Sequence, residues 1–216
     1  MTETLLQLLE AAYPLTPIET GAFAHLKVGG MKFSIKAFCA EGLGHVSMMQ
    51  AKGFFGLMKM DTLMIVPFAK DLPLYSYDRI FAMGNDTLIV ELYDTLLSPL
   101  DLSSLDFVKE HYQSLPERDP GEHWYDTVKL PQSLSKKGKK LQTPAMNSLA
   151  TDHFKAYLSL LAEETADKMA KKQRSSAYVE GLLSHGGPST DVFKKSLGQA
   201  KTEELFRYIL FGTAAN

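Results

Sequence analysis

One cysteine, Cys39, is all that 216 residues provide. No internal disulfide can form, so nothing points to an oxidising compartment. A zinc-thiolate cluster is excluded too, and the six histidines never fall in a His-x-x-x-His or His-Glu-x-x-His spacing, so no metal site is expected. Charge of either sign is nearly balanced, 23 Lys and Arg against 25 Asp and Glu, for a net charge of -2. Without a basic excess, nucleic acid is not the expected partner. No apolar run is long enough to span a bilayer, and "MTETLLQLLE" has no basic region of the signal-peptide kind. The expectation is a cytoplasmic protein without a membrane partner. Glycine-rich phosphate loops are missing: "KVGGMK" reads as a hairpin and "SHGG" as a helix end, which removes the nucleotide and dinucleotide classes. There is no Gly-x-Ser-x-Gly elbow. Cys39 reads as a small buried hydrophobe rather than a nucleophile.

The chain is 45% apolar and 22% charged, as expected of a globular protein, and its length fits a single domain spanning residues 1–216. Leu5, Leu6, Leu8 and Leu9 predict a short amphipathic helix ended by "YPLTP". Strand patterns then run to Asp94: "GAFAHLKV" and "MKFSIKAFCA" around a Gly-Gly turn, "HVSMMQAKG", "LMKMDTLMIVP", and the pair "DLPLYSYDRIFAM" and "TLIVELYD" joined at "GND". The connections are too short for the crossovers a parallel sheet needs, so the pattern predicts an antiparallel meander of about six strands. Strands such as "TLMIVP" are apolar on both faces and need cover on both. The second half reads as helices: "DLSSLDFVKEHYQSL", a long one over "SLATDHFKAYLSLLAEETADKMAKK" with a stripe of Leu149, Phe154, Tyr157, Leu158 and Leu161, then "SSAYVEGLLSHGG", "PSTDVFKKSLG" and "QAKTEELFRYILFG". Between them, "PERDPGEHWYDTVKLPQSLSKKGKKLQTP" reads as a long irregular loop of the kind that carries function. The whole is an α/β domain with helices on both faces of an antiparallel sheet.

Within this frame one acid stands out. Strand alternation puts Asp78 on a face with Ser76, Ile80 and Ala82, while Arg79 points the other way. A carboxylate among apolar neighbours needs a partner, a proton or a chemical role. Lys59, Arg118 or a backbone group could satisfy it structurally; in an apolar pocket it would hold its proton and could donate it. Met48, Met49, Met58, Met60 and Met64 read as core filler or as the wall of an adaptable apolar pocket. The run "KKGKK" (Lys136, Lys137, Lys139, Lys140) reads as a solvated loop, or as a docking patch for an acidic partner or for substrate carboxylates.

"MIVPFAKDLPLYSYDRIFAMGNDTLIVELYD" resembles the central part of the ferredoxin-dependent bilin reductases: a strand ending in Pro67, a loop holding Leu72, Pro73 and Leu74, then a strand bearing Asp78. "FKKSLGQAKTEELFRYILFG" resembles their C-terminus independently, and "HVSMMQAKG" does so more weakly. The resemblance implies a three-layer α/β/α sandwich with a central antiparallel sheet, and an open-chain tetrapyrrole bound between the sheet and the C-terminal helices. It implies no bound cofactor: reduced ferredoxin or flavodoxin supplies electrons singly, and the lysine run would serve that partner. Asp78 falls on the family's catalytic aspartate. The histidine of members that reduce a vinyl group falls on Thr62, and a glutamate of the preceding strand falls near Ser47. A further carboxylate falls near Gly187, where the nearest acid is Asp191, the second catalytic candidate. Ser47, Thr62, Met64 and Ser76 form the expected substrate-binding set. The red chlorophyll catabolite reductases share this fold and logic. The departures equally fit a non-catalytic binder of a tetrapyrrole or another amphipathic small molecule.

Overall fold

The computed structural model describes residues 1–214. Helix α1 (Thr2–Ala12) buries Leu5 and Leu9. Seven strands follow: β1 (Leu15–Ile18), β2 (His25–Val28), β3 (Met31–Ala40), β4 (Gly44–Gly53), β5 (Met58–Pro67), β6 (Leu74–Ala82) and β7 (Asn85–Tyr93). Then come α2 (Ser103–His111), β8 (Leu134–Lys139), α3 (Thr143–Leu158), α4 (Lys168–His185), α5 (Pro188–Leu197) and α6 (Gln199–Glu204), which runs into a π-helical turn (Leu205–Leu210). The strands pair antiparallel in the order β1-β3-β4-β5-β6-β7-β8, with β2 lying beside β1 along the outer edge of β3.

Period-two alternation sorts the sheet into two apolar faces. One carries Val46, Leu63, Tyr75, Tyr77 and Val90 and is covered by α1, α2 and α3. Tyr75 meets Phe154 and Tyr157 of α3 at ring-centre distances of 5.4 and 4.6 Å. The other carries Phe33, Ile35, Met49, Met64 and Tyr93 and is covered by α4, α5 and the π turn. Helices on both sides of one antiparallel sheet make the α/β/α sandwich.

The sheet is wider than six strands. Among the described residues it has eight, because β1 adds an edge at "LTPI" and β8 forms inside the segment that reads as a loop. Pro17 lies in β1, where an edge strand tolerates a missing donor. The alternation of β8 is masked by lysine. Lys136 faces the core opposite Leu88, fully buried, with Nζ donating to the Leu115 carbonyl at 3.1 Å and paired with Glu117. A lysine stem fills an apolar slot when its head finds acceptors. Lys136 is therefore not part of any docking patch, while Lys137, Lys139 and Lys140 remain exposed.

The long helix expected over residues 148–172 is two helices. The chain leaves α3 at Leu158 to pass from one face of the sheet to the other, and α4 restarts at Lys168, capped by Asp167. The crossing strand hydrogen-bonds to the β5–β6 connection (Thr165 N to Ala69 O, 2.8 Å; Asp71 N to Glu163 O, 3.1 Å), and Leu161 is exposed rather than part of the stripe. Buried Lys171 then ties α4 down, donating to Asp71 Oδ1, Leu72 O and Thr95 O at 2.8, 2.6 and 2.7 Å. Cys39 is exposed, near the end of β3 opposite Thr16 of the edge strand β1, not buried.

Arg79 is fully buried on the face opposite Asp78. Its Nε and Nη2 donate to Asp86 Oδ1 and Oδ2 at 2.5 and 2.6 Å, and Thr143 Oγ1 donates to Asp86 Oδ2 at 2.5 Å. Removing one member of such a pair strands the other charge in the core. Asp86→Ala should lower the unfolding free energy by about 3–5 kcal/mol in urea titrations. A paired Arg79→Met/Asp86→Leu replacement should lose much less, and an Asp86→Ala protein of wild-type stability would contradict a structural role for the pair.

Candidate functional site

The β6–β7 hairpin turns on Met83 and Gly84, both at positive φ, which sets Ala82 opposite Asn85. That register places Asp78 opposite Ile89 and Ser76 opposite Glu91. On the other side β5 sets Thr62 opposite Asp78 and Met64 opposite Ser76. Directly paired residues share a face, so these side chains form one floor, and that floor lies under α4, α5 and the π turn.

Between the floor and the helices is a cavity of about 250 Å³. Met49, Met60, Thr62, Met64, Ser76, Asp78, Ile80, Ile89 and Glu91 make its floor. Leu182 of α4, Phe193 of α5, and Phe206 and Leu210 of the π turn make its roof. One wall is aromatic: Tyr93 lies 4.1 Å from Tyr178 and 5.6 Å from Tyr125 between ring centres, and His123 stacks on Tyr125 at 4.8 Å. Arg118, Pro120 and His123 come from the segment before β8.

Asp78 is half-buried and faces this cavity. Burial away from water raises its carboxyl from 3.8 to about 6; the Thr62 hydroxyl, donating to Oδ1 at 2.5 Å, opposes the rise, and the charge of Glu91 adds to it. Glu91 accepts from the Tyr93 hydroxyl at 2.6 Å. Burial also raises the phenols of Tyr93, Tyr125 and Tyr178, so they stay protonated donors. The floor thus offers a carboxyl that can exchange a proton near neutral pH, within a largely apolar and aromatic enclosure. Arg118 hydrogen-bonds Ser135 Oγ at 3.3 Å and forms no ion pair among the described residues. No group of three or more His, Cys, Asp or Glu among those residues could hold a metal.

Of the expected residues, Asp78, Thr62, Met64 and Ser76 are brought together. Ser47 is not. It shares the face, but it is buried beneath the π turn, where its hydroxyl donates to Leu210 O at 2.8 Å, and His45 Nε2 donates beside it to Ile209 O at 2.8 Å. A π turn shifts its hydrogen bonds and leaves carbonyls for such donors. Burial keeps His45 neutral. Gly212 closes over this ring: a Cβ there would stand 2.4 Å from His45 Cγ, and its φ is +61°. Asp191 also fails as a cavity acid. It is exposed in the first turn of α5, its carboxylate turned toward Gly186, whereas Gly187 does line the cavity. Glu91, the tyrosines and His123 are not singled out by the sequence, and Arg118, a candidate partner for Asp78 there, lines the cavity without an ion pair among the described residues. Glu91 could have been found by carrying the hairpin register across from Ser76.

No family model and no curated protein sequence matches the chain. Among solved structures, phytochromobilin synthase from tomato, crystallised in complex with biliverdin, superposes with a TM-score of 0.77. The match covers 98% of this chain and 82% of that chain at 14% sequence identity. This chain shares the fold of phytochromobilin synthase. The relation to bilin-reducing enzymes read from the sequence thus holds at the level of fold.

An acid whose folded value is raised binds its proton more tightly in the folded than in the unfolded state. The stability Asp78 contributes is therefore full below about 4 and is lost as pH rises through about 6, from values of 3.8 and about 6. Asp78→Asn should remove this loss, so the variant should gain stability relative to wild type between those pH values. Urea midpoints measured across the window check it, and parallel profiles for the two proteins would contradict a raised Asp78. Thr62→Val, which removes the one opposing hydrogen bond, should move the carboxyl higher still by carbon-13 NMR titration.

Proposed function

We propose that the cavity binds a linear tetrapyrrole and that Asp78 protonates it while a ferredoxin or flavodoxin supplies single electrons. One observation carries this reading: a protonatable carboxyl, held by Thr62, stands on the floor of a largely apolar, aromatic-walled cavity. The fold shared with a bilin-binding synthase supports the choice of ligand class. The apolar floor and tyrosines suit a flat conjugated ligand. Arg118 suits its anionic side chains, since a cation without an acid partner among the described residues gains most from a ligand carboxylate.

Reducing one double bond takes two electrons and two protons, and the donor protein provides the electrons one at a time. A ligand that displaces water from Asp78 favours its protonated form further. The carboxyl gives its proton to a pyrrole nitrogen or lactam oxygen, and the resulting carboxylate is recharged from solvent. Lys137, Lys139 and Lys140 offer exposed positive charge to an acidic donor. A second reading, a binder without catalysis, is favoured by Thr62 and Ser47 standing where resembling enzymes hold a histidine and a glutamate.

Anaerobic assay with biliverdin and a reduced ferredoxin system, followed by visible absorbance, separates the two readings. The reductase turns the bilin over, and the binder shifts its spectrum without consuming it. Asp78→Asn should keep binding and lose turnover by about 10²–10⁴-fold, with a bilin radical accumulating under one-electron reduction. Normal turnover by Asp78→Asn would make Asp78 structural.

A further inference from the structure

The stretch "KGFFGLMK", from Lys52 to Lys59, forms the β4–β5 turn. Its apolar side chains face outward: Phe54 is 57%, Phe55 109% and Leu57 73% exposed. Phe54 and Phe55 both adopt positive φ (51° and 56°), backbone that glycine takes freely and bulky residues take at a cost. The aromatic rings are thus kept against local preference. At the same end of the sheet the β6–β7 turn presents Met83, 90% exposed and at φ 51°.

Behind these tips lies a row of like charge. Lys27 pairs with Lys32, Lys32 with Lys52, and Lys52 with Lys59 across β2, β3, β4 and β5. All four are exposed, and none forms an ion pair among the described residues. Asp86, further along the same row, is buried on Arg79. Like charges directly opposite destabilise a sheet, so the row gains from an external anion. Each lysine stands two positions from its turn, roughly 7 Å back from the tip, within reach of a side chain that extends toward it.

We infer that this end of the sheet docks on an anionic lipid surface, the hairpin tips entering the interface and the lysine row meeting the headgroup phosphates. Projecting apolar side chains suit a fluid interface, which needs no matching cleft, and basic residues beside them add attraction to anionic lipid. The contact is interfacial: among the described residues no helix is long and apolar enough to cross a membrane. It revises the expectation of no membrane partner, since neither a spanning run nor a signal-peptide pattern is needed for interfacial docking. Met60 and Ile80 of the cavity floor stand on the same strands between the tips and Asp78, which is about 17 Å of strand from Met83. Docking this way holds the cavity close to the bilayer.

Co-sedimentation with vesicles of phosphatidylcholine, with and without phosphatidylglycerol, tests it. The full chain should bind the anionic vesicles and not the neutral ones, and added salt should weaken binding. Phe54→Ser/Phe55→Ser and Lys52→Glu/Lys59→Glu should each reduce partitioning by about tenfold or more, with urea midpoints confirming that both variants fold. In Phe55→Trp, the added emission, after subtracting that of Trp124, should shift to the blue on anionic vesicles. No binding to anionic vesicles at low salt would overturn the inference. So would loss on lysine reversal with no effect of the phenylalanine changes and no blue shift, the pattern of a surface made for a soluble acidic protein.

Discussion

Everything at the cavity depends on the pairing of Thr62 with Asp78 across β5 and β6. It sets which carboxylate faces the helices and gives that carboxylate a hydrogen bond from the Thr62 hydroxyl. A slip of one residue would turn every side chain of β6 to the other face. Arg79 would then enter the cavity, and Asp78 would lie under α3. The two-residue turn at Met83 and Gly84 and the Arg79–Asp86 pair oppose that slip from two directions. The turn fixes the geometry, and a slip would break the bidentate pair of Arg79 with Asp86.

The same alternation separates charge by function. Asp78 and Arg79 are neighbours in sequence, yet each lies on its own face of the sheet. On the α3 side, Arg79, Asp86 and Thr143 satisfy one another and hold the fold. On the helix α4 side, Asp78 has a hydroxyl but no cation, and its carboxyl rises to about 6. A salt bridge in that place would have held it ionised. With no cation paired to it among the described residues, the carboxyl keeps its proton to higher pH.

Much of this was legible in the sequence because strands advertise their faces. Met31, Phe33, Ile35 and Ala37 alternate with Lys32, Ser34 and Lys36, and hairpin-length gaps leave few choices but a meander. Asp78 stood out because its neighbours on the face are apolar. Where the reading failed, a side chain had an unforeseen partner. Lys136 looked like solvent-facing charge, but Glu117 and a carbonyl allow it inside, so β8 passed as loop. The break between α3 and α4 answers to the path of the chain around the sheet, which no local pattern records. Ser47, expected in the substrate-binding set from the resemblance, gives its hydroxyl to the π turn above it. Asp191 was chosen only as the acid nearest Gly187, and on a helix that distance is enough to point it into solvent.

The central claim is that a linear tetrapyrrole lies between the sheet and the C-terminal helices with Asp78 beneath it. A crystal structure of the protein with biliverdin, grown anaerobically, tests this most directly. The account predicts the bilin against Met49, Ile89 and Tyr178, with a pyrrole nitrogen or lactam oxygen within about 2.6–3.2 Å of the Asp78 carboxyl. A bilin bound elsewhere on the molecule, or one in the cavity with Asp78 turned away from its nitrogens and oxygens, would contradict it.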